Sequence, residues 1–350
     1  MFFASDNGSP ALPQVMAALM AANHGPAPSY GADPLMDLVR AQIRALFEAP
    51  EAAVYLVATG TAANALALAT LTQPWGAIYC HRHAHIEEDE CGAPEFYTGG
   101  AKLVLLDGAH AKIAPTALAE ALANAAGAGV HNVQRGMLSL TNATENGTIY
   151  RPAEVTVLTA IARSHAIPTH MDGARFANAL VSAGCTPAEM TWRAGIDILT
   201  LGGTKNGLMG VEAVVIFDPA RAWQFELRRK RAGHLVSKHR YLSAQMAAYL
   251  TDDLWLKTAA TANARAARLS QGIAATPHAA LVHPTDANSV FAAWPHRCHV
   301  AAQAAGAGYD LWPGTQSLDG NPDQPLTARL VCSWNTTDTE IDQLLALIRP

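Results

Sequence analysis

Residues 54–71 read VYLVATGTAANALALATL, and this stretch decides the fold. Its first five residues are apolar and predict a strand, whereas the run from Ala62 to Leu71 is rich in residues that favour a helix. Between them, Thr59-Gly60-Thr61 predicts a tight turn. The same order of strand, turn and helix recurs along the chain, which predicts an α/β fold with a mostly parallel sheet.

The rest of the chain has two regions with different patterns. Up to residue 217 short apolar runs alternate with longer helical patterns, and residues 221–271 are predominantly helical in pattern because no proline interrupts them. The C-terminal third has short strands between Ala-rich or Pro/Gly-rich pieces, which predicts a smaller α+β unit. We therefore divide the chain into an N-terminal segment (1–30), a large α/β domain (31–240) and a small C-terminal α+β domain (241–350). The further predicted strands are 77–80, 102–106, 137–140, 168–171, 196–201, 211–217, 290–294, 311–312 and 329–334. Predicted helices cover 115–126, 152–164 and 338–348, and residues 313–325 are predicted to form a surface loop.

Composition excludes several classes of function. The chain has 350 residues, of which 50% are hydrophobic and 15% charged, so it can bury a large core and is not a disordered chain. Its net charge of −5 gives no broad basic surface for nucleic acid. The five cysteines are odd in number and scattered, which favours a reducing compartment. With no signal-peptide pattern and no long apolar stretch, we expect a cytoplasmic protein that does not span a membrane.

Four polar clusters follow predicted strands. In a parallel α/β sheet ligands bind at the carboxyl ends of the strands, so these side chains are expected to meet at one edge of the sheet. The clusters read TGTAAN (59–64), HRHAHIEEDE (81–90), HMDGAR (170–175) and GGTKNG (202–207).

Each cluster also has a simpler interpretation. Gly60 and Thr61 suit a phosphate at a helix N-terminus, or only an ordinary capped turn, and the pattern lacks the glycine spacing of dinucleotide or P-loop sites. The histidines at 81, 83 and 85 are spaced for a metal ion, for a strand end before an acidic helix start, or for one ring stacked on a planar ligand. The remaining simpler alternatives are a structural ion pair of Asp172 with Arg175 and a solvated Lys205.

Taken together, the four clusters supply what a pyridoxal 5'-phosphate site needs. Lys205 offers an amine that can form a Schiff base, and Asp172 can hold the pyridine nitrogen protonated, so that the ring becomes an electron sink. The turn at Gly60 offers backbone donors for the phosphate, and an arginine can bind a substrate carboxylate with two parallel hydrogen bonds. The cluster residues therefore predict a pyridoxal phosphate enzyme with no metal ion.

The sequence resembles the low-specificity L-threonine aldolases, which are pyridoxal-phosphate-dependent enzymes of fold type I. The resemblance runs through nearly the whole chain, and it is similar above all to the branch found in pseudomonads, which includes aldolases acting on phenylserine. It implies a cleavage of L-threonine, L-allo-threonine and related β-hydroxy-α-amino acids to glycine and an aldehyde. The motifs that carry it are YGADP (30–34), GTAAN (60–64), AH (84–85), CGAP (91–94), HMDGAR (170–175) and GTKN (203–206).

The resemblance also implies roles for individual residues. Lys205 would be the Schiff-base lysine, Asp172 would pair with the pyridine nitrogen, and His85 would stack on the cofactor ring. The family assembles as a homotetramer, a dimer of dimers with shared active sites, so Lys238 would reach a neighbouring subunit's phosphate and Tyr30 would lie at a subunit contact near an active site. The remaining implied ligands are Gly60, Thr61, Thr204 and Arg175 for the cofactor, and Ser5, Arg175 and Arg329 for the substrate carboxylate.

One departure from the family leaves the general base open. Many members carry a histidine in the loop after the strand that ends near Leu140, and Glu145 stands at that place here. Either Glu145 or His85 with a water would then remove the proton of the substrate hydroxyl. Three other functions also stay open: another fold type I enzyme such as a β-eliminating lyase or an aminotransferase, a metal-dependent hydrolase using His81, His83 and His85, and a non-catalytic protein.

Overall fold

A seven-stranded sheet forms the centre of the larger part of the molecule, which is described here from a computed structural model covering residues 1–125 and 129–349. In spatial order the strands run β1-β7-β6-β5-β4-β2-β3, and β7 is antiparallel to both of its neighbours while the other pairs are parallel. The strands are β1 (Ala53–Val57), β2 (Gly76–His81), β3 (Lys102–Leu106), β4 (Gln134–Thr141), β5 (Thr169–Gly173), β6 (Ile198–Leu201) and β7 (Glu212–Ile216).

Helices cover this sheet, and strands β2, β5, β6 and β7 are buried along their whole length. The predicted mostly parallel α/β fold is thereby confirmed, and each predicted strand of this region overlaps an observed one. The helices are α1 (Pro13–Ala22), α2 (Pro34–Leu46), α3 (Gly60–Leu71), α4 (His85–Glu88), α5 (Ala93–Thr98), α6 (Pro115–Asn124), α7 (Pro152–Ser164), α8 (Phe176–Ala183), α9 (Pro187–Met190), α10 (Ala222–Arg231), α11 (Arg240–Leu250), α12 (Leu254–Ala274), α13 (His296–Ala304) and α14 (Asp338–Ile348).

The starts of several helices follow directly from the sequence. Asp33 precedes α2 and its Oδ1 accepts the N–H of Met36 at 3.0 Å, while Pro34 occupies the first helical position, where a missing N–H costs nothing. Prolines begin α6 and α7 in the same way, as predicted. The predicted end of α6 at residue 126 lies outside the described residues.

A second, antiparallel sheet lies in the C-terminal part and has the order β10-β11-β9-β8. Its strands are β8 (Ala280–Leu281), β9 (Ser289–Pro295), β10 (Asp310–Leu311) and β11 (Pro325–Val331). The prediction of a strand at 329–334 is wrong in its bounds, because the N–H of Ser333 donates to Thr336 Oγ1 and the chain turns away from the sheet there. The strand begins earlier, at Pro325, which pairs with Pro295 across the end of β9.

Helix α12 contributes to two large hydrophobic cores, the first under the large sheet and the second under the small sheet, and a third core lies on the opposite face of the large sheet. Trp255 and Ala259 pack in the core of the large sheet, whereas Ala266 and the turns after it pack against β9 and β11. Phe3 packs in the second core. Its N–H donates to the carbonyl of Gly308, and its carbonyl accepts the N–H of Val331. The division at 1–30, 31–240 and 241–350 stays a prediction. Among the described residues, none of the helices combines the length and the hydropathy that a bilayer crossing requires.

Candidate active site

A cavity of about 360 Å³ opens at the carboxyl ends of the central strands. It is lined by residues of the N-terminus of α3, the start of α4, the end of β5 and the turn after β6. The predicted site residues Gly60, Thr61, His85, Asp172, Thr204 and Lys205 all line it. A larger groove of about 700 Å³ lies between α5 and α10 and contains none of the predicted residues, so volume alone does not identify the site.

The N-terminus of α3 forms one wall of the cavity. Thr59 caps the helix, since its Oγ1 accepts the N–H of Ala62 at 3.2 Å. The N–H groups of Gly60 and Thr61 occupy the first turn, where a helix has no intrahelical acceptor for them. They therefore face the cavity as donors with the positive end of the helix dipole behind them, which suits an anion.

Asp172 lies opposite, at the end of β5, and only 1% of its surface is exposed. Its Oδ1 accepts the N–H of Ala174 at 3.0 Å, and its Oδ2 accepts the side-chain amide of Asn64 at 3.0 Å. These two hydrogen bonds hold the carboxyl group in one orientation on the cavity wall.

His85 begins α4, and its Nδ1 lies 2.8 Å from Oε1 of Glu90. The hydrogen bond with Glu90 raises the pKa of His85, and the carboxylates of Asp172 and Glu145 act in the same direction. Glu90 is itself wholly buried, and burial raises the pKa of its carboxyl above the ordinary value. The sequence interpretation did not single out Glu90 or Asn64, although both stand inside the quoted clusters.

The other two histidines of the second cluster contact separate partners. Nε2 of His81 lies 3.2 Å from the carbonyl of Gly108, and Nδ1 of His83 lies 2.7 Å from Glu88. β2 ends at His81, so the three rings do not share the face of one strand. The structure therefore does not bring His81, His83 and His85 together as ligands of one metal ion.

Lys205 stands in a short 3₁₀ turn, Thr204–Asn206, which follows β6. The turn is held from both sides: the N–H of Gly203 donates to Oε2 of Glu212 at 2.6 Å, and the amide of Asn206 donates to the hydroxyl of Tyr249 at 2.7 Å. Burial raises the pKa of Glu212 to about 7. Among the described residues the amine of Lys205 has no hydrogen bond or ion pair, so a rigid turn presents a free amine to the cavity.

Arg175, predicted as a substrate and cofactor ligand, is engaged by Asp6. Its Nε and Nη2 lie 2.7 and 2.9 Å from the two carboxylate oxygens of Asp6, and both side chains are buried. The amide of Asn288 donates to the same carboxylate at 3.0 Å. This arrangement fixes the N-terminal segment, and hence Ser5, against the large sheet.

Arg329 lies on β11 with 16% of its side chain exposed. Its Nη1 lies 3.4 Å from the carbonyl oxygen of Ala4, and the centre of its guanidinium lies 5.8 Å from the ring centre of Trp312. Oγ of Ser5 accepts the N–H of Asn7 at 3.1 Å. In the chain, Ser5 therefore lies between Ala4, which contacts Arg329, and Asp6, which binds Arg175.

Glu145 lies in the loop after β4 and is half-buried. Its charge acts on His85, Arg175 and Arg329, so it lies near all three side chains. The loop that carries it is closed by a hydrogen bond from the N–H of Thr144 to the carbonyl of Thr148, 2.8 Å long.

Tyr30 and Lys238 lie apart from the cavity lining and close to each other in the chain's fold. The N–H of Tyr30 donates to the carbonyl of Ser237 at 3.1 Å, and both side chains are exposed. Both residues therefore lie on the surface of this chain and outside its own cavity lining.

Comparison with known proteins defines the class of protein to which this fold and cavity belong. A sequence model of the β-eliminating lyase family matches residues 3–295. Serine palmitoyltransferase of Sphingomonas wittichii shares the fold, with a TM-score of 0.72 at 15% identity over 99% of this chain and 86% of that one. The chain therefore has the fold of the pyridoxal-phosphate enzymes of fold type I, as predicted.

Two curated relatives narrow this class. The low-specificity L-threonine aldolases of Pseudomonas sp. (strain NCIMB 10558) and of Pseudomonas aeruginosa are each 39% identical over 347 residues, which are 99% of this chain and 96% of each relative. The threonine aldolase of Leishmania major superposes with a TM-score of 0.91 at 26% identity, over 99% of this chain and 98% of that one. The chain belongs to the low-specificity L-threonine aldolase family, and the resemblance noted in the sequence is confirmed.

Proposed function

We propose that the protein is a pyridoxal-phosphate-dependent aldolase that cleaves L-threonine, L-allo-threonine and related β-hydroxy-α-amino acids such as phenylserine to glycine and an aldehyde. The observation that carries the proposal is the convergence of Lys205, Asp172, His85 and the N-terminus of α3 on one cavity. An amine, a fixed carboxylate, an aromatic ring and an anion site within one enclosure are the parts that this cofactor requires.

The residues present fit pyridoxal phosphate. Lys205 would hold it covalently, Asp172 would bond the pyridine nitrogen, and His85 would cover one face of the ring. The N–H groups at Gly60 and Thr61, with the hydroxyls of Thr61 and Thr204 nearby, would hold the phosphate. The family is pyridoxal-phosphate-dependent, so the predicted cofactor is confirmed at the level of the family.

The bound cofactor supplies an electron sink that accepts the electron pair of the broken Cα–Cβ bond. The chain's own residues decide which bond breaks. The planar guanidinium of Arg329 can bind the substrate carboxylate through two parallel hydrogen bonds, with Ser5 beside it, and this contact fixes the rotation about Cα. Arg175, whose Nε and Nη2 both bind Asp6, contributes by holding the segment that carries Ser5.

A base must also remove the proton from the substrate's β-hydroxyl. Two groups of this chain are the candidates for that step: Nε2 of His85, whose Nδ1 is engaged by Glu90, and the half-buried carboxylate of Glu145. General base assistance is worth about 10²–10⁴-fold in rate.

We further propose a cytoplasmic homotetramer, built as a dimer of dimers, in which Lys238 and Tyr30 serve a neighbouring subunit's site. Their exposure and their distance from this chain's own cavity lining support this, and all five cysteines are free thiols, which suits a reducing compartment. Mass measurement by light scattering tests the tetramer. Replacing Lys238 with alanine should lower cofactor affinity, and a monomeric mass with unchanged affinity would contradict the proposal.

Product analysis tests the proposed reaction. The purified protein loaded with pyridoxal phosphate is incubated with L-threonine, L-allo-threonine or phenylserine, and both products are quantified. We expect glycine with acetaldehyde or benzaldehyde in equal amounts. A keto acid with ammonia would instead identify a β-eliminating lyase, and an amino-group transfer to a second keto acid would identify an aminotransferase.

A further inference from the structure

We propose that Glu90 is a positioning residue that holds the imidazole of His85 with its Nδ1 hydrogen directed at the Glu90 carboxylate, leaving the lone pair of Nε2 free to accept the substrate's hydroxyl proton. The proposal rests on the aldolase function proposed above. It assigns the base to His85 and gives a role to a buried carboxylate that the cofactor and the substrate do not otherwise require.

The geometry around Glu90 supports this assignment. Its side chain has no exposed surface, and its Oε1 receives two contacts, from Nδ1 of His85 at 2.8 Å and from the amide of Asn64 at 2.9 Å. An ionised carboxylate has no hydrogen to donate, so the ring nitrogen that faces it must carry one. A neutral imidazole then has its only lone pair on the other nitrogen, Nε2.

Asn64 extends this contact to Asp172, the carboxylate proposed to bond the pyridine nitrogen of the cofactor. The same amide nitrogen that reaches Glu90 also donates to Oδ2 of Asp172 at 3.0 Å. A ring nitrogen of His85 and one carboxylate oxygen each of Glu90 and Asp172 all lie within 4.8 Å of one another. Because two carboxylates this close repel each other, a hydrogen-bond donor between them and a proton on the adjacent imidazole both stabilise the charged pair.

The hydrogen bond between Glu90 and His85 therefore links the protonation of the two side chains. The charges that face the imidazole are the carboxylates of Glu90, Asp172 and Glu145, which raise the pKa of His85, and the amine of Lys205, which lowers it. The contact with Glu90 is the largest of these influences.

When the pair holds its extra proton in acid, both ring nitrogens carry hydrogens and Nε2 cannot act as a base. Activity should rise as pH rises through the pKa of the pair. Removing the negative charge of Glu90 lowers the pKa of His85, so the acid limb of kcat should move to lower pH. The same change weakens the base and frees the ring to rotate, so the plateau of kcat should fall.

The test compares Glu90→Gln, which removes the charge and keeps the shape, with Glu87→Gln as the matched control. Glu87 is exposed on α4, the helix that begins at His85, and makes no side-chain hydrogen bond among the described residues. In each holoenzyme the pKa of His85 is measured by mass spectrometry of the slow exchange of its C2 hydrogen. The pH profile of kcat is measured with L-threonine.

In Glu90→Gln we expect the pKa of His85 to fall by about one unit or more and the acid limb of kcat to move with it. The plateau of kcat should fall about 10- to 100-fold, the loss typical when a carboxylate that orients a functional histidine is removed. Glu87→Gln should match the parent protein in both measurements. Glu90→Asp, which keeps the charge, should retain most of the raised pKa even if Glu90→Gln folds poorly.

An unchanged pKa of His85 in Glu90→Gln, or a loss of kcat with an unmoved acid limb, would overturn the proposal and leave Glu90 a packing role. A lowered pKa that Glu90→Asp does not restore would also overturn it. The exchange measurement does not depend on turnover. If the parent protein releases no glycine from threonine, the proposed function fails, while the coupling of Glu90 to His85 is still tested.

Discussion

The guanidinium of Arg175 binds the carboxylate of Asp6 through contacts of 2.7 and 2.9 Å, and this ion pair joins two positions 169 residues apart in the chain. Burial alone would raise the pKa of Asp6, but the charge and hydrogen bonds of Arg175 outweigh it and hold the pKa below its ordinary value. The pair attaches the N-terminal segment to the end of β5, next to the proposed cofactor carboxylate Asp172.

Replacing Asp6 with asparagine should destabilise the protein strongly. It leaves the charge of Arg175 buried without its partner, a change that costs about 3–5 kcal/mol in unfolding free energy. Denaturant unfolding followed by circular dichroism measures this cost. A loss below about 1 kcal/mol would show that the pair is not a structural anchor.

The same pair should make stability depend on pH. Since the folded pKa of Asp6 is lowered, its contribution is present above the unfolded pKa and is lost as pH falls through the folded one. In acid the parent protein should therefore lose stability more steeply than Asp6→Asn. Parallel slopes of melting temperature against pH for the two proteins would contradict this.

Replacing Arg329 with lysine should act mainly on substrate binding. A point charge replaces a planar group that makes two parallel hydrogen bonds, and the loss of one charged hydrogen bond, about 1.5–3 kcal/mol, corresponds to roughly 10- to 100-fold in kcat/KM. We expect most of this loss in KM. Steady-state kinetics with L-threonine measures it, and an unchanged KM would remove Arg329 from the carboxylate site.

Replacing Asp172 with asparagine should preserve cofactor binding and lower turnover. The amide keeps the shape of the side chain but no longer supplies the negative charge that holds the pyridine nitrogen protonated. Asp172→Asn should still take up pyridoxal phosphate, measured by absorbance after release in alkali, while kcat falls by about 10²-fold or more. Full activity in this variant would place Asp172 outside the site.

His85 and Glu145 can be distinguished by comparing Glu145→Gln with His85→Asn at equal cofactor content. If His85 is the base, its loss should lower kcat about 10²–10⁴-fold, whereas Glu145→Gln should change mainly KM through its neighbours Arg175 and Arg329. The opposite result, a loss of kcat only in Glu145→Gln, would identify Glu145 as the general base.

The sequence predicted those parts of the site that lie at strand ends. Gly60, Asp172 and Lys205 each lie at or just after the end of a predicted strand, so their meeting at one sheet edge could be foreseen from the order of elements. Lys205 and Asp172 were assigned to one site from that order, whereas the role of His85 beside the cofactor came only from the family resemblance.

Other parts could not be read from the sequence, for physical reasons. Glu90 follows three acidic residues and looks like a solvated helix face, and only the packing of α3 against it reveals its burial. The bond between Asp6 and Arg175 has no local signal at all. The end of β11 was misplaced because Cys332, Ser333 and Trp334 continue an apolar pattern that a side-chain hydrogen bond to Thr336 interrupts.

The most direct test of the account is the chemical state of Lys205 in the purified holoenzyme. Borohydride reduction followed by high-resolution mass spectrometry of the peptides locates any covalently attached cofactor. The account predicts a phosphopyridoxyl group on Lys205, absent from Lys205→Ala treated in the same way. An unmodified Lys205, or the group on another lysine, would contradict it.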